Sequence, residues 1–342
     1  SFNPVERLCY IGARGMGALE FEPAILGSPT RGRTLEVAAL VDLANRVLNE
    51  RKALAGTLGG TQDAKAIEDI IRVGTSAGGA RAKAILAWNE TTGEFRSGQV
   101  KAGEGFTYWL MKFDGVSGNR DRELADPQGF GLIEYAYHLM ALDAGVDMAP
   151  CRLHREGGRA HFMTKRFDRT DAGEKLHMQS LAAMMHYDFN QPDAYSYEQA
   201  LQTIRRLRLP MADVEQQFRR AVFNVTARNH DDHVKNIAFL MNKAGDWRLS
   251  PAFDVAYSYN PSGAWTSRHQ MSLNGKRDGF GVDNLIALAE TGGTKPAKAR
   301  RIIEEVDDSV GKWNDFAATA GVDDETRDRI GAAHRRLGDM KA

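Results

Sequence analysis

Residues 230–236 read "HDDHVKN", placing two His, two Asp, a Lys and an Asn in seven positions, and another acid, Asp254, follows in "LSPAFD". Three chemistries fit these residue types. His230, Asp231, Asp232 and His233 offer imidazole and carboxylate ligands for a transition metal. The same polar run can cap the helical pattern "VEQQFRRAVFNVTAR" or simply turn the chain, because Asn and Asp favour such places. Asp231 also stands five positions before Asn236, the spacing at which protein kinases carry a base and a cation-holding amide, with a second metal-binding Asp on a later segment. That spacing has a physical cause. The carboxylate must meet an attacking hydroxyl while the Asn oxygen, a loop's width away, holds Mg2+ on the phosphates. The stretch "NIAFLMNKAGDWRLSPAFD" can form a β-hairpin that returns Asp254 to the side of Asn236. From this window alone the three readings carry equal weight.

The elements upstream separate them. "VGTSAGGARAKAIL" supplies a glycine-rich loop and then Lys83 at the entry to a strand pattern, and the aromatic strand pattern "TYWLMKFDG" carries Lys112. Backbone amides and ammonium groups are what a triphosphate needs, and a transition-metal centre does not require them. The loop is not a P-loop, since neither GKS nor GKT follows the glycines and no helix follows directly. "DPQGFGLIEYAYHLMALDAGV" reads as a helix carrying Glu134, with Asp126 as cap, Pro127 in the first turn and Gly145 at the end. Glycine loop, strand lysine, helix glutamate, Asp, Asn and Asp follow the chain order of a two-lobed kinase.

Around these lie "CYIGARGMGALEFEPA", which reads as strand, Gly-rich turn and strand, and two helical patterns, "TLEVAALVDLANRVLNER" and "DAKAIEDIIRVG". "RAHFMTKRFDR" reads as a further strand. From Leu176 onward the patterns turn mostly helical, as in "SYEQALQTIRRLRL", "DVEQQFRRAVFNVTARN", "VDNLIALAE" and "PAKARRIIEEV". The expected fold class is therefore α+β: a mixed β/α N-terminal lobe over residues 1–166 and an all-helical C-terminal lobe over residues 167–342.

Composition limits the partners. With 342 residues and 42% hydrophobic side chains the chain can bury the core of a two-lobed unit. Lys+Arg and Asp+Glu balance at 45 each, so no overall field draws it to nucleic acid. Cys9 and Cys151 match no zinc or disulfide spacing, which fits a reducing compartment. No run approaches the roughly 20 apolar residues of a membrane span, and the N-terminus lacks a signal pattern, so a soluble, cytoplasmic protein is expected.

The segments "GARGMGALEFEP", "GTSAGGARAKAIL", "YWLMKFDG", "IEYAYHLMALDAGV", "FMTKRFDR", "ARNHDDHVKNIAFL", "WRLSPAFDV" and "MSLNGKRDGF" together resemble the HipA-like serine/threonine kinases, the toxin halves of bacterial toxin–antitoxin modules. The resemblance covers nearly the whole chain. It implies a kinase-like fold using ATP and Mg2+, with Asp231 as catalytic base and Asn236 and Asp254 as Mg2+ ligands. Lys83 and Lys112 match positions that contact ATP phosphates, and His233 and Lys235 would line the phosphate and metal site. The loop residues Ser76, Ala77, Gly78 and Gly79 would meet the nucleotide, as would the backbone of the linker at Lys165, Arg166 and Phe167. The family's common linker has an acidic residue where Lys165 stands, so that contact is expected through the backbone.

Family members are regulated by autophosphorylation near the glycine loop, which makes Thr75 and Ser76 the candidates. A phosphate there adds roughly two negative charges and repels the nucleotide. The resemblance further implies a protein substrate, with aminoacyl-tRNA synthetases among family targets, growth arrest, and a HipB-like helix-turn-helix antitoxin through which DNA is reached indirectly. The other readings are a nucleotide-binding pseudokinase that acts as a corepressor component, and a small-molecule kinase of the same architecture. Larger members carry a subdomain ahead of "GARGMGALEFEP". This chain, which starts at Ser1, holds little of it, so that part is expected to have been trimmed or to come from another polypeptide.

Overall fold

A computed structural model describes residues 3–24, 35–38, 40–41, 82–115, 129–191 and 193–340. The chain forms two compact units, one of residues 1–131 and 150–178 and the other of residues 132–149 and 179–342. The sequence reading drew one boundary at residue 166. In the structure residues 132–149 belong with the C-terminal unit and residues 167–178 with the N-terminal one.

The first unit opens with helix α1 (Pro4–Ile11), where the sequence reading expected a strand. Asn3 and Glu6 make reciprocal capping bonds at its start and Pro4 occupies the first turn, so the helical signal outweighs the apolar run "CYI". The unit's framework is an antiparallel sheet of β1 (Lys83–Trp88), β2 (Phe95–Ser97), β3 (Thr107–Lys112), β4 (Cys151–Glu156) and β5 (Arg159–Lys165), in the order β2-β1-β3-β5-β4. β4 and β5 turn on Gly157 and Gly158, at φ 57° and 76°, the pair of positive angles that matches the twist of a two-residue hairpin. One sheet face packs Leu86, Trp109, Met111 and Met163 against Val37, Leu40 and Val41, apolar positions at helical spacing.

The segment after β5 is locked by buried charge. Asp168 is 1% exposed and pairs with Arg166 at 2.7 Å and Arg169 at 3.0 Å, and it accepts the Gly17 amide at 2.7 Å. Burial alone would raise the Asp168 pKa, but the two arginines and the Gly17 amide outweigh it and hold the group below its usual range. Gly17 is at φ 73°, and a Cβ there would lie 3.1 Å from the Met178 amide nitrogen, so glycine is required on both counts.

The second unit contains α2 (Phe130–Asp143, apart from its first two residues), α3 (Leu181–Met185), α4 (Tyr197–Arg206), α5 (Met211–Thr226), α6 (Val282–Gly292), α7 (Pro296–Val310), α8 (Trp313–Ala320) and α9 (Asp324–Ala333). It is not all helical. β7 (Ala238–Met241) and β8 (Trp247–Leu249) form a hairpin, joined by β6 (His177–Ser180) in the order β6-β7-β8. α5 is the central element, burying Val214, Phe218, Ala221, Val222 and Val225. Its C-terminal end is tied to α2 by the Tyr137 hydroxyl, which donates to the Ala227 carbonyl at 2.5 Å. The expected caps Asp126 and Pro127 of α2, and much of the two helical patterns before β1, lie outside the described residues.

Two buried imidazoles in this unit give a pH prediction. Burial lowers His138 to about 4 and His334 to about 3 from the ordinary 6.5. Folding holds both neutral, so the stability they support is complete above pH 6.5 and is lost as pH falls toward those values. At pH 5.5 each costs about 1.4 kcal/mol. The loss of stability on urea unfolding between pH 7.5 and pH 5.5 should therefore be about 3 kcal/mol smaller in the double variant His138→Gln, His334→Gln than in the wild type.

Candidate active site

α5 ends at Thr226, and Arg228 takes a left-handed φ of 57°, turning the chain into the polar loop. The loop is fastened from below: the Asn229 amide donates to the Asn224 carbonyl at 3.0 Å, the Ala182 amide to Val234 O at 3.1 Å, and the Leu181 amide to Ile237 O at 2.7 Å. It then enters β7. The hairpin pairs Phe239 with Leu249 and Met241 with Trp247, and its turn is set by Asn242, whose Oδ1 accepts from the Ala244 and Asp246 amides at 2.9 Å each. Beyond β8 the Ala252 amide donates to Asp147 O at 2.8 Å, and Asp254, at φ 53°, sits in a conformation that non-glycine residues seldom adopt.

The hairpin returns Asp254 to the loop. Asp254, Asn236 and His233 line one small cavity of about 30 Å3, floored by Arg220, Gln217 and Asn224 of α5. Asn236 Nδ2 donates to the Asp231 carbonyl at 2.8 Å, so the Asn236 amide oxygen faces away from that bond. The side chain of Asp231 is 55% exposed, with His233 Nε2 3.6 Å from its Oδ1. Lys235 is half-buried; burial lowers its pKa and the Asp231 charge opposes that without cancelling it. An amide oxygen and a carboxylate on one cavity wall are a hard-oxygen donor set of the kind Mg2+ takes, with waters and phosphate oxygens completing the shell.

The His-rich transition-metal alternative does not survive the geometry. Among the described residues no three His, Cys, Asp or Glu side chains converge on a metal position. His230 is fully buried, with Nδ1 3.0 Å from Thr266 O and its ring 4.0 Å from that of His269. Burial lowers its pKa to about 3.

Asp232 has a separate role from its neighbour. Its side chain is sealed from solvent and accepts from the Tyr197 hydroxyl at 2.6 Å and the Gln270 amide at 2.7 Å, with His269 Nδ1 at 2.7 Å. Burial would raise its pKa, but His269, Tyr197 and the Gln270 amide hold it below the ordinary value. From Tyr197 a one-way chain of hydrogen bonds leads back to the base. Asn224 Nδ2 donates to the Tyr197 oxygen (3.0 Å), Asn229 Nδ2 to Asn224 Oδ1 (2.9 Å), Ser258 Oγ to Asn229 Oδ1 (3.1 Å), and the Asp231 amide to Ser258 Oγ (2.9 Å). Every donor in the chain is satisfied in one direction, an arrangement whose members polarise and strengthen one another. The sequence reading missed Tyr197, Asn224, Asn229, Ser258, His269 and Gln270; the five-residue spacing from Asn224 at the end of α5 to Asn229 in the loop was the only local trace.

In the first unit Lys83 and Lys112 are direct cross-strand partners on β1 and β3. Residues directly opposite one another on antiparallel strands share a sheet face, so the two lysine side chains leave the sheet on the same side. The linker residues divide by atom. Lys165 pairs with Asp171 at 2.8 Å, and the Arg166 guanidinium is spent on Asp168 and the Gly98 carbonyl. The Lys165 and Arg166 amides donate to Pro150 O and Tyr108 O, each at 2.8 Å. Phe167 is half-buried. Glu134, on α2, is 1% exposed. The glycine-loop residues Thr75, Ser76, Ala77, Gly78 and Gly79 lie outside the described residues.

Among solved structures, the chain is similar to HipA of Shewanella oneidensis MR-1, in a toxin–antitoxin complex of HipA, HipB and operator DNA. The TM-score is 0.67 and the identity 17%, covering 96% of this chain and 76% of that one. A fainter likeness, with TM-score 0.40 and 9% identity over 68% of this chain and 90% of the other, is to the Helicobacter pylori proinflammatory kinase CtkA. No match is found among curated proteins. The profile of the HipA-like C-terminal domain matches residues 75–313, from the glycine loop through Asp231, Asn236 and Asp254 to the first residue of α8, and the chain therefore belongs to the HipA-like C-terminal domain family.

Proposed function

We propose that this protein is a HipA-type kinase that transfers the γ-phosphate of ATP to a serine or threonine hydroxyl of a protein. The observation that carries the proposal is the clamp between Asn236 Nδ2 and the Asp231 carbonyl, which fixes a base and a hard-oxygen ligand at one separation beside Asp254. Asp231, exposed and next to His233, accepts the proton of the acceptor hydroxyl. Asn236 and Asp254 hold Mg2+, which supplies charge neutralisation for the phosphates when bound. Lys83 and Lys112 would hold phosphate oxygens from their shared face of the sheet. The two units correspond on this reading to the lobes of a kinase, with the nucleotide's glycine loop in the first. Lys165 and Arg166, whose amides are engaged within the first unit, would serve adenine through carbonyl oxygens.

The family context extends the proposal to a cytoplasmic toxin restrained by a HipB-like antitoxin, reaching operator DNA through that partner and acting on a translation protein such as an aminoacyl-tRNA synthetase. Among the described residues no helix is long and apolar enough to cross a membrane.

Phosphoproteomics on cells expressing the wild type or Asp254→Ala tests substrate class. Wild-type expression should produce new phosphoserine or phosphothreonine peptides and arrest growth, and Asp254→Ala should do neither. ATP binding without any new phosphoprotein would favour the corepressor reading, and phosphorylated small metabolites would favour the small-molecule kinase.

A further inference from the structure

The loop after α3 presents Phe189 to solvent at 39% exposure. That loop is built to hold its shape. Tyr187 and Tyr195 stack with ring centroids 4.2 Å apart, the Asp188 amide donates to the Tyr195 hydroxyl at 2.6 Å, and the Asp188 carboxylate accepts from the Asn190 amide and side chain. His186, at φ 56°, turns the chain into it. Phe189 is thus a fixed ring at the tip of a braced loop.

The inner face of this ring is occupied. Lys235 Nζ lies 3.5 Å from the ring centroid, and the His233 ring meets it edge-on at 6.2 Å. These two side chains flank Asp231 in the polar loop, His233 on its carboxylate and Lys235 next in sequence to Asn236. An ammonium group that loses part of its hydration by burial needs a replacement for the lost water, and the negative face of an aromatic ring supplies one. An aliphatic residue of similar bulk would cover the same surface and supply nothing.

We propose that Phe189 is a positioning residue of the active-site loop, holding the Lys235 ammonium beside Asp231 and Asn236 by a cation–π contact and seating the His233 ring. The inference rests on the kinase reading for its chemical consequence, a charge parked where a phosphate would arrive, but not for its geometry.

Two variants separate the aromatic face from mere cover: Phe189→Leu removes the π face and keeps an apolar side chain, while Phe189→Trp keeps the face. The first readout needs no catalysis. Acylation of Lys235 by an amine-reactive ester, followed at one pH by peptide mass spectrometry of the full chain, should be about fivefold faster in Phe189→Leu and no faster in Phe189→Trp than in the wild type. Equal rates in wild type and Phe189→Leu would overturn the proposal. The second readout is γ-phosphate transfer, where Phe189→Leu should lower kcat several-fold and Phe189→Trp should restore it. A wild type that transfers no phosphate while the acylation pattern holds would sink the kinase reading and leave the positioning role standing.

Discussion

Asp232→Ala is expected to destabilise the second unit by about 3–5 kcal/mol, the cost of breaking a buried charge pair and orphaning its partners. The carboxylate is sealed from solvent and serves three groups: the Tyr197 hydroxyl, His269 Nδ1 and the Gln270 amide. Removing it strands all three in the interior and ends the hydrogen-bond chain that reaches the Asp231 amide through Asn224, Asn229 and Ser258. The melting temperature should fall by on the order of 10 °C. Asp232→Asn keeps the shape but places an NH2 group against donors and should fall between the two.

The pH dependence has a definite sign. The folded pKa of Asp232 is depressed below 3.8, so its contribution is complete above about pH 4 and lost only as pH falls through the lower folded value. Urea denaturation of wild type and both variants at pH 7 checks the ranking. A loss below 1 kcal/mol in Asp232→Ala would mean that the network is not what holds the loop.

The contrast between Asp231 and Asp232 marks how far sequence reaches. Asp231, Asn236 and Asp254 were legible because their geometry is local: a loop spacing and one hairpin bring them together. Asp232 looked equivalent to its neighbour because its partners lie 35 to 38 positions away, in α4 and in the segment before α6. Periodicity carries no information about such pairings. Lys83 and Lys112 were legible as strand residues, but their direct pairing depends on register, which the alternation of β1 and β3 does not fix without the intervening turns.

Other misreadings have simple causes. The strand expected at "CYI" ignored the capping box of Asn3 and Glu6 just upstream. The all-helical C-terminal lobe was drawn from the helical patterns and discounted the hairpin that the same sequence supplies. Arg166 is a different case: the contact expected there was through the backbone, and its guanidinium is buried against Asp168 in the "KRFDR" segment, whose Arg169 braces the Gly15 and Gly17 carbonyls.

On the proposed function, Asp231 is the base of a phosphoryl-transfer loop. A general base contributes about 10²- to 10⁴-fold, and Asp231 is exposed enough that Asp231→Asn should leave folding intact. The Asn236 clamp is to the Asp231 main-chain carbonyl and survives the substitution, so ATP and Mg2+ binding should persist while chemistry is lost. The most direct measurement is transfer of γ-labelled phosphate from ATP in the presence of Mg2+ by the purified full chain, wild type beside Asp231→Asn, with nucleotide binding measured on both. Label on protein serine or threonine is expected with the wild type and at least a hundredfold less with Asp231→Asn, at equal nucleotide affinity. Equal transfer by the two proteins would contradict that role.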